Sequence, residues 1–451
     1  MKLSIRHFQA GNFHYKAGQL DAAILEYRAS LDLEPQCWQA RHNLALAYSD
    51  MGCLEDAVAQ YRAALRLHPD NPGLHNSLGV ALGGLGRTEE AAAKYRDALQ
   101  LAPSNIHANY NYGNLLRHRG DFEGAVHSYC RVLQGDPNLV DARMHLGLAL
   151  AGMEDYEGAI AEYRECLRLQ PGYDKPHFNM GAALRKLERW DEAAAEYGHW
   201  LAANPESAEG HFYIGCCRLR RERWADAERR FRQAISLKPQ MAEAHCNLGA
   251  VLKKQKRRRA ALASYREAVR LDPDNAASRN NLGLILEKSG RKAPAEAEYR
   301  AAIWARPQAA SAHFHLANLL RKSGRLDEAV DEYQAALAIN PDSFGAQFSL
   351  GLTFEARGAK AWAVIHYRKA VLLRSESAAA CWWLGDCLNA LGEPIEAIRE
   401  LREAVRLDPR NPVPRALLGT ALTENGQHSD GLRELMIAVL LRPICASCGR
   451  F

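Results

Sequence analysis

The chain has 451 residues, 47% hydrophobic and 25% charged, with a formal net charge of +5 at neutral pH. That charge is small for the length, so no bulk electrostatic case for nucleic acid follows. No stretch reaches the ~18 apolar residues of a membrane span, and Met1 to Ala10 holds no apolar run of signal-peptide length.

From the N-terminus onward one unit is copied. Proline recurs every 34 residues at Pro35, Pro69, Pro103, Pro137, Pro171, Pro205, Pro239, Pro273, Pro307, Pro341, Pro409 and Pro443, with Ser375 alone breaking the series. In phase with it stand Gly79, Gly113, Gly147, Gly181, Gly215, Gly249, Gly283, Gly351, Gly385 and Gly419, most of them preceded by a large apolar residue such as Leu78 or Leu146. Ala57, Ala91 and Ala125 keep the same beat, followed four residues later by Tyr61, Tyr95 and Tyr129. Within a unit, apolar residues fall at helical spacing in two blocks, as in Trp38 to Met51 and Leu54 to Leu67, with Gly52 in the turn between them. Each unit is therefore expected to be a helix pair. Small residues at Gly79 and Ala91 let the two axes approach while Leu78 and Tyr95 fill the crossing. The proline ends the second helix, because it donates no hydrogen bond and disfavours helix in the residue before it.

This pattern resembles the tetratricopeptide repeat, whose period is ~34 residues. The resemblance covers residues 4–445 as thirteen repeats without insertion or deletion, leaving 446–451 as a short tail. It implies an all-α fold, a right-handed superhelical solenoid of thirteen antiparallel helix pairs, in place of the about three domains that length alone suggests. The eleven cysteines are odd in number and scattered in helix-interior slots such as Cys130, Cys166, Cys217 and Cys387, so they read as buried thiols of a reducing compartment. The expected location is cytoplasmic.

The resemblance also implies that first helices line a concave face where ligands lie. Just before the large apolar residue stand Asn43, Asn111, Asn179, Asn247 and Asn281. An amide offers a donor and an acceptor, so it can pair with the backbone of an extended peptide of any sequence. This is similar to the asparagine ladder of the O-linked N-acetylglucosamine transferases. Ser77, His145, Tyr213, His315, Ser349, Trp383 and Leu417 interrupt it here, and the plainer reading is that Asn tolerates a solvated position. One residue earlier come the aromatics Phe8, Tyr110, Phe178, Phe212, Phe314, Phe348 and Trp382, expected either to stack on ligand side chains or to pack between first helices. The carboxylate clamp of chaperone adaptors is not expected. Lys is absent from its first slot, which holds His42, Asn76, Met144, Cys246, Asn280 and Ala416 beside the aromatics.

The turns joining paired helices are basic in the middle of the chain. Arg185, Lys186 and Arg189 are followed by Arg220, Arg221 and Arg223, by Lys253, Lys254 and Lys256 to Arg259, by Lys288, Arg291 and Lys292, and by Arg321, Lys322 and Arg325. Stacked turns would form an anion-attracting ridge, with Arg257 and Arg258 at its densest point. The alternative is a solvated edge, since Glu188, Glu222 and Glu287 lie among the bases.

His177, His211 and His245 share one slot in consecutive repeats, roughly 8–10 Å apart at helix-packing distances. Zinc needs nitrogens within ~2.1 Å of one ion, so these read as substitutes for a bulky packing residue. Cys445 and Cys448 form half of a zinc site at most. The last helix carries Leu432, Leu435, Met436, Val439 and Leu440, more apolar surface than a terminal helix hides, so self-association or a missing continuation is expected there.

No catalytic constellation, metal or cofactor is expected. Gly83, Gly84 and Gly86 lack the Lys and Ser/Thr of a phosphate loop. The expected function is a non-enzymatic scaffold binding extended polypeptide segments along the concave groove. The alternatives are the substrate-recognition part of a multidomain enzyme such as a glycosyltransferase, and an anion or nucleic-acid module using the basic ridge.

Overall fold

The computed structural model describes residues 2–441, so Cys445, Cys448 and the tail lie outside the described residues. Every regular element among them is an α-helix, and twenty-six helices form thirteen pairs, from Leu3–Lys16 with Leu20–Leu33 to Pro412–Glu424 with His428–Leu441. The chain divides into two compact units, Met1–Arg230 and Phe231–Phe451. The division falls inside the helix Trp224–Leu237. Among the described residues no helix is long and apolar enough to cross a membrane.

Pairing follows from residue size. The glycine of the first helix faces the tyrosine of the second, and a Cβ built on Gly79 would sit 2.6 Å from Cε1 of Tyr95. The tyrosines are buried, and the alanines four residues before them, such as Ala57, Ala91 and Ala125, completely so. Leu401 and Leu435 replace the tyrosine in the last two repeats, again directly over Gly385 and Gly419.

Each helix pair is joined by a turn residue in the left-handed region. Nine repeats place glycine there, from Gly18 to Gly426, and four consecutive repeats place Glu154, Glu188, Glu222 and Lys256 at φ 65°, 58°, 56° and 63°. Several following repeats open on an N-cap, as where Asn71 accepts from the backbone N–H of Leu74 and Asn105 from that of Ala108.

Stacking is asymmetric in both units. Within each, several successive first helices touch one another directly, while a second helix rests mainly on the first helices before and after it in the chain. First helices thus form the tighter layer, and the side they turn away from the second helices is called the inner face below.

In most repeats the fourth position ties neighbouring segments together, Cys381 being an exception. Arg143 donates to the carbonyl of Pro137 at 3.0 Å and to Glu162 at 2.8 Å. His313 repeats the arrangement with Pro307 at 3.0 Å and Glu332 at 2.6 Å, and Arg279 and Arg415 do so with Pro273 and Glu298, and Pro409 and Glu434. His177 on Glu196, His211 against Arg230 and His245 on the Pro239 carbonyl belong to this series. They are therefore not bulk replacements. They are polar ties, and His245, like Arg143 and His313, occupies the proline carbonyl beyond the preceding helix.

One cysteine expectation is corrected. Cys166, Cys217, Cys381 and Cys387 are buried, but Cys130 is exposed, as is Cys53. Cys130 lies on the solvent side of the helix Phe122–Gly135, where the 34-residue pattern places no core residue.

Candidate binding face

The hydroxyl of the buried tyrosine emerges toward the inner face, and it selects what the first helix presents there. Tyr27 donates to Asn12 at 2.9 Å, Tyr129 to Asn114 at 2.7 Å and Tyr333 to Asn318 at 2.8 Å. Where that position is apolar or absent, a carboxylate one turn on accepts instead, Glu287 from Tyr299 and Glu355 from Tyr367, both at 3.0 Å. The Tyr197 and Tyr265 hydroxyls are buried with no hydrogen-bond partner. These tyrosine acceptors are residues that sequence reasoning missed. Their signal is an Asn, Asp or Glu one or four residues beyond the glycine, in phase with a tyrosine further on.

The five candidate asparagines are all half-buried on the first-helix layer, but they are not equivalent. Asn43 donates to Asn12 at 2.7 Å and Asn111 to Asn76 at 3.0 Å, each reaching back to the preceding repeat. Asn281 is approached by Lys253 Nζ at 3.5 Å. Asn179 touches only the sulfur of Met144, at 4.0 Å, and so keeps its amide hydrogen-bonding capacity. Asn247 shares the same half-buried setting.

The aromatics pack chiefly on the second helix of their own repeat. Tyr110, Phe178, Phe314 and Phe348 each lie on the tyrosine of their own repeat, with ring centroids 6.2, 5.4, 6.1 and 5.7 Å from Tyr129, Tyr197, Tyr333 and Tyr367. Each nevertheless remains half-exposed. Phe212 packs edge-on against Tyr213, and Trp382 stacks on Trp383 at 4.2 Å.

The basic residues separate into two groups. Arg185, Lys253 and Arg321 are half-buried on the inner face. Arg185 lies 4.6 Å over the Tyr213 ring, and burial followed by the charges of Lys288 and Lys254 depresses the Lys253 ammonium pKa. The rest occupy the turns. Arg220 covers Trp190, Arg221 pairs with Asp191 at 3.0 Å and Lys322 with Glu287 at 2.9 Å. Arg189 and Arg325 are tied into forks with Glu157 and Glu192, and with Glu296 and Glu328. Lys186, Arg258 and Lys288 stand exposed, beside Lys254 and Arg257.

At the last described helix, Leu432, Met436, Val439 and Leu440 are exposed, while Leu435 turns inward onto Gly419. Among the described residues no group of three or more His, Cys, Asp or Glu side chains could hold a metal ion.

Curated proteins give no match. Solved structures that resemble the chain include the APC/C hetero-tetramer Cut9–Hcn1, at 14% identity over 94% of this chain and 97% of that one with a TM-score of 0.46. Yeast Tom70 aligns at 16% identity over 97% and 95%, TM-score 0.42. MamA aligns at 21% identity over 37% of this chain and 92% of its own, TM-score 0.35. The profile of the tetratricopeptide repeat matches residues 8–72, 42–106, 77–140, 110–174, 218–257 and 363–412, and related repeat profiles match 150–211, 242–275, 276–308 and 317–358. With the period, the glycine–tyrosine contact and these profiles all in register, the chain belongs to the tetratricopeptide repeat family.

Proposed function

We propose that the chain is a non-enzymatic scaffold that binds extended polypeptide segments along its first-helix face. The observation that carries this reading is Asn179, whose amide has only the Met144 sulfur at 4.0 Å as a hydrogen-bond partner, next in sequence to the half-exposed Phe178, which packs on Tyr213. A half-buried amide with hydrogen-bonding capacity to spare near aromatic faces offers backbone pairing and side-chain stacking together. Each amide contact contributes only ~0.5–1.5 kcal/mol, so several of the five asparagines act together in a micromolar complex. In this the face parallels the asparagine ladder of the O-linked N-acetylglucosamine transferases, with Asn179 the rung whose amide is least engaged. The test is selection of binders from a random peptide library, followed by titration against the chain with Asn179→Ala, Asn247→Ala and Asn281→Ala. Peptides of unrelated sequence that bind the native chain in high salt and lose affinity with each replacement support the reading. Binding untouched by the three replacements sinks it.

A second reading rests on the turns of the second unit. Lys256, Arg258, Arg259, Lys288, Arg291 and Lys292 are exposed and stand in no ion pair among the described residues. Such unneutralised turns attract phosphate or acidic protein segments with steep salt dependence. Titration of a generic duplex at two salt concentrations separates the readings, because the peptide interaction is the salt-resistant one.

A further inference from the structure

The inner face of the second unit changes character toward its C-terminal repeats. Trp382 and Trp383 lie stacked at 4.2 Å between centroids, and Trp383 continues onto Tyr367 at 6.3 Å. The Tyr367 hydroxyl donates to Glu355 Oε2 at 3.0 Å, which places that carboxylate at the edge of the aromatic wall. Asp386 follows Trp382 by one helical turn on Ala378–Ala390 and so shares its face. Asn389, a further turn along, donates to Glu424 at 2.6 Å, and its own Oδ1 is shut off from solvent without a donor.

We propose that this cluster is a subsite for an arginine side chain of the bound polypeptide, stacked on Trp382 and Trp383 and hydrogen-bonded by Glu355 and Asp386. The proposal rests on the groove reading above and names one side chain that the groove recognises. Its argument is an excess of acceptors. Neither carboxylate is in an ion pair among the described residues, and Asp386 has no hydrogen-bond partner there either. The charge of Asp386 also acts on Glu355. Burial raises the pKa of both carboxyls; for Glu355 the Tyr367 hydrogen bond works against this and the charge of Asp386 adds to it, while Lys360 lowers both. A half-buried Asp386 carboxylate with no donor, beside a Glu355 carboxylate that receives only the Tyr367 hydroxyl on Oε2, fits a ligand that donates several N–H groups and accepts none. A guanidinium is that group: it carries five donors in a planar fork that matches carboxylates. Its flat face also stacks on tryptophan, which a compact ammonium does less well.

The test uses the full chain and N-acetyl-arginine methylamide, followed by the indole N–H signals of Trp382 and Trp383, assigned through Trp382→Phe and Trp383→Phe. The neutral isostere N-acetyl-citrulline methylamide is the control. The expected result is saturable movement of both indoles with the arginine amide and little with citrulline. Asp386→Asn should weaken the arginine amide by about tenfold or more, and Lys360→Gln, which removes the distant competitor, should strengthen it. Equal response to arginine and citrulline in the native chain overturns the subsite without relying on any variant folding. A selected groove peptide run in parallel keeps the two readings apart. If it binds while the arginine amide moves neither indole, the subsite falls and the groove stands. If the arginine amide binds and no peptide does, the groove reading falls and this site stands as an isolated guanidinium pocket.

Discussion

A Cβ on Gly147 would lie 2.5 Å from Cε1 of Tyr163, the tyrosine of its own repeat. Two repeats carry alanine at the equivalent position, Ala45 and Ala317, both fully buried opposite Tyr61 and Tyr333. The tyrosine can thus yield to one methyl and to little more. Gly147→Ala is expected to be mild and Gly147→Val to cost about 1–3 kcal/mol by overpacking. Amide hydrogen exchange across Val140–Gly152 is the proper measure, because long repeat arrays lose two-state behaviour and a single midpoint would average the defect away.

The Tyr129 hydroxyl depends on Asn114, 2.7 Å away. Asn114→Leu strands a buried donor and should cost about 1–3 kcal/mol. Tyr129→Phe in the same chain should recover much of that loss, since removing both partners leaves nothing unsatisfied. A double-mutant cycle by denaturant melting measures the coupling, and simple additivity would mean that Asn114 acts by packing alone.

Four consecutive repeats hold a non-glycine residue in the left-handed turn, Glu188 at φ 58° among them. That conformation costs an L-residue about 1–2 kcal/mol, partly offset by the freer unfolded chain that glycine brings. Glu188→Gly should therefore stabilise its repeat by about 0.5–1 kcal/mol. Gly120→Ala, at the same position with φ 81°, should do the reverse. Thermal melting of the two variants side by side checks the opposite signs.

His366 is held between the Phe354 ring, 5.4 Å away, and Gln347, which receives its Nδ1–H at 2.8 Å. Burial, with Lys369 nearby, lowers its pKa from 6.5 to about 4. Between those values the unfolded chain binds a proton that the folded chain refuses, so this group favours folding fully above pH 6.5 and progressively less as pH falls toward 4. His366→Gln keeps an amide in the site and should flatten that part of the pH–stability curve while leaving pH 8 stability nearly unchanged. Unfolding measured across the window in both chains gives the comparison.

The period, the helix pairs, the turn glycines and the glycine–tyrosine crossing were legible in the sequence. Each rests on contacts inside one 34-residue unit, and every copy restates the same local physics. Which asparagines remain available was decided by tertiary structure. Asn43 and Asn179 occupy the same slot with the same residue type, yet Asn43 meets Asn12 of the preceding repeat and Asn179 meets the sulfur of Met144. The partner comes from whichever side chain the previous copy happens to present, 31 residues back in one case and 35 in the other. His177 and Arg189 likewise became ties and forks only once Glu196 and Glu157 were placed beside them. Periodicity determines where a side chain stands, because helix geometry and close packing are the same in every unit. The unrepeated residues across the repeat boundary determine what that side chain is free to do.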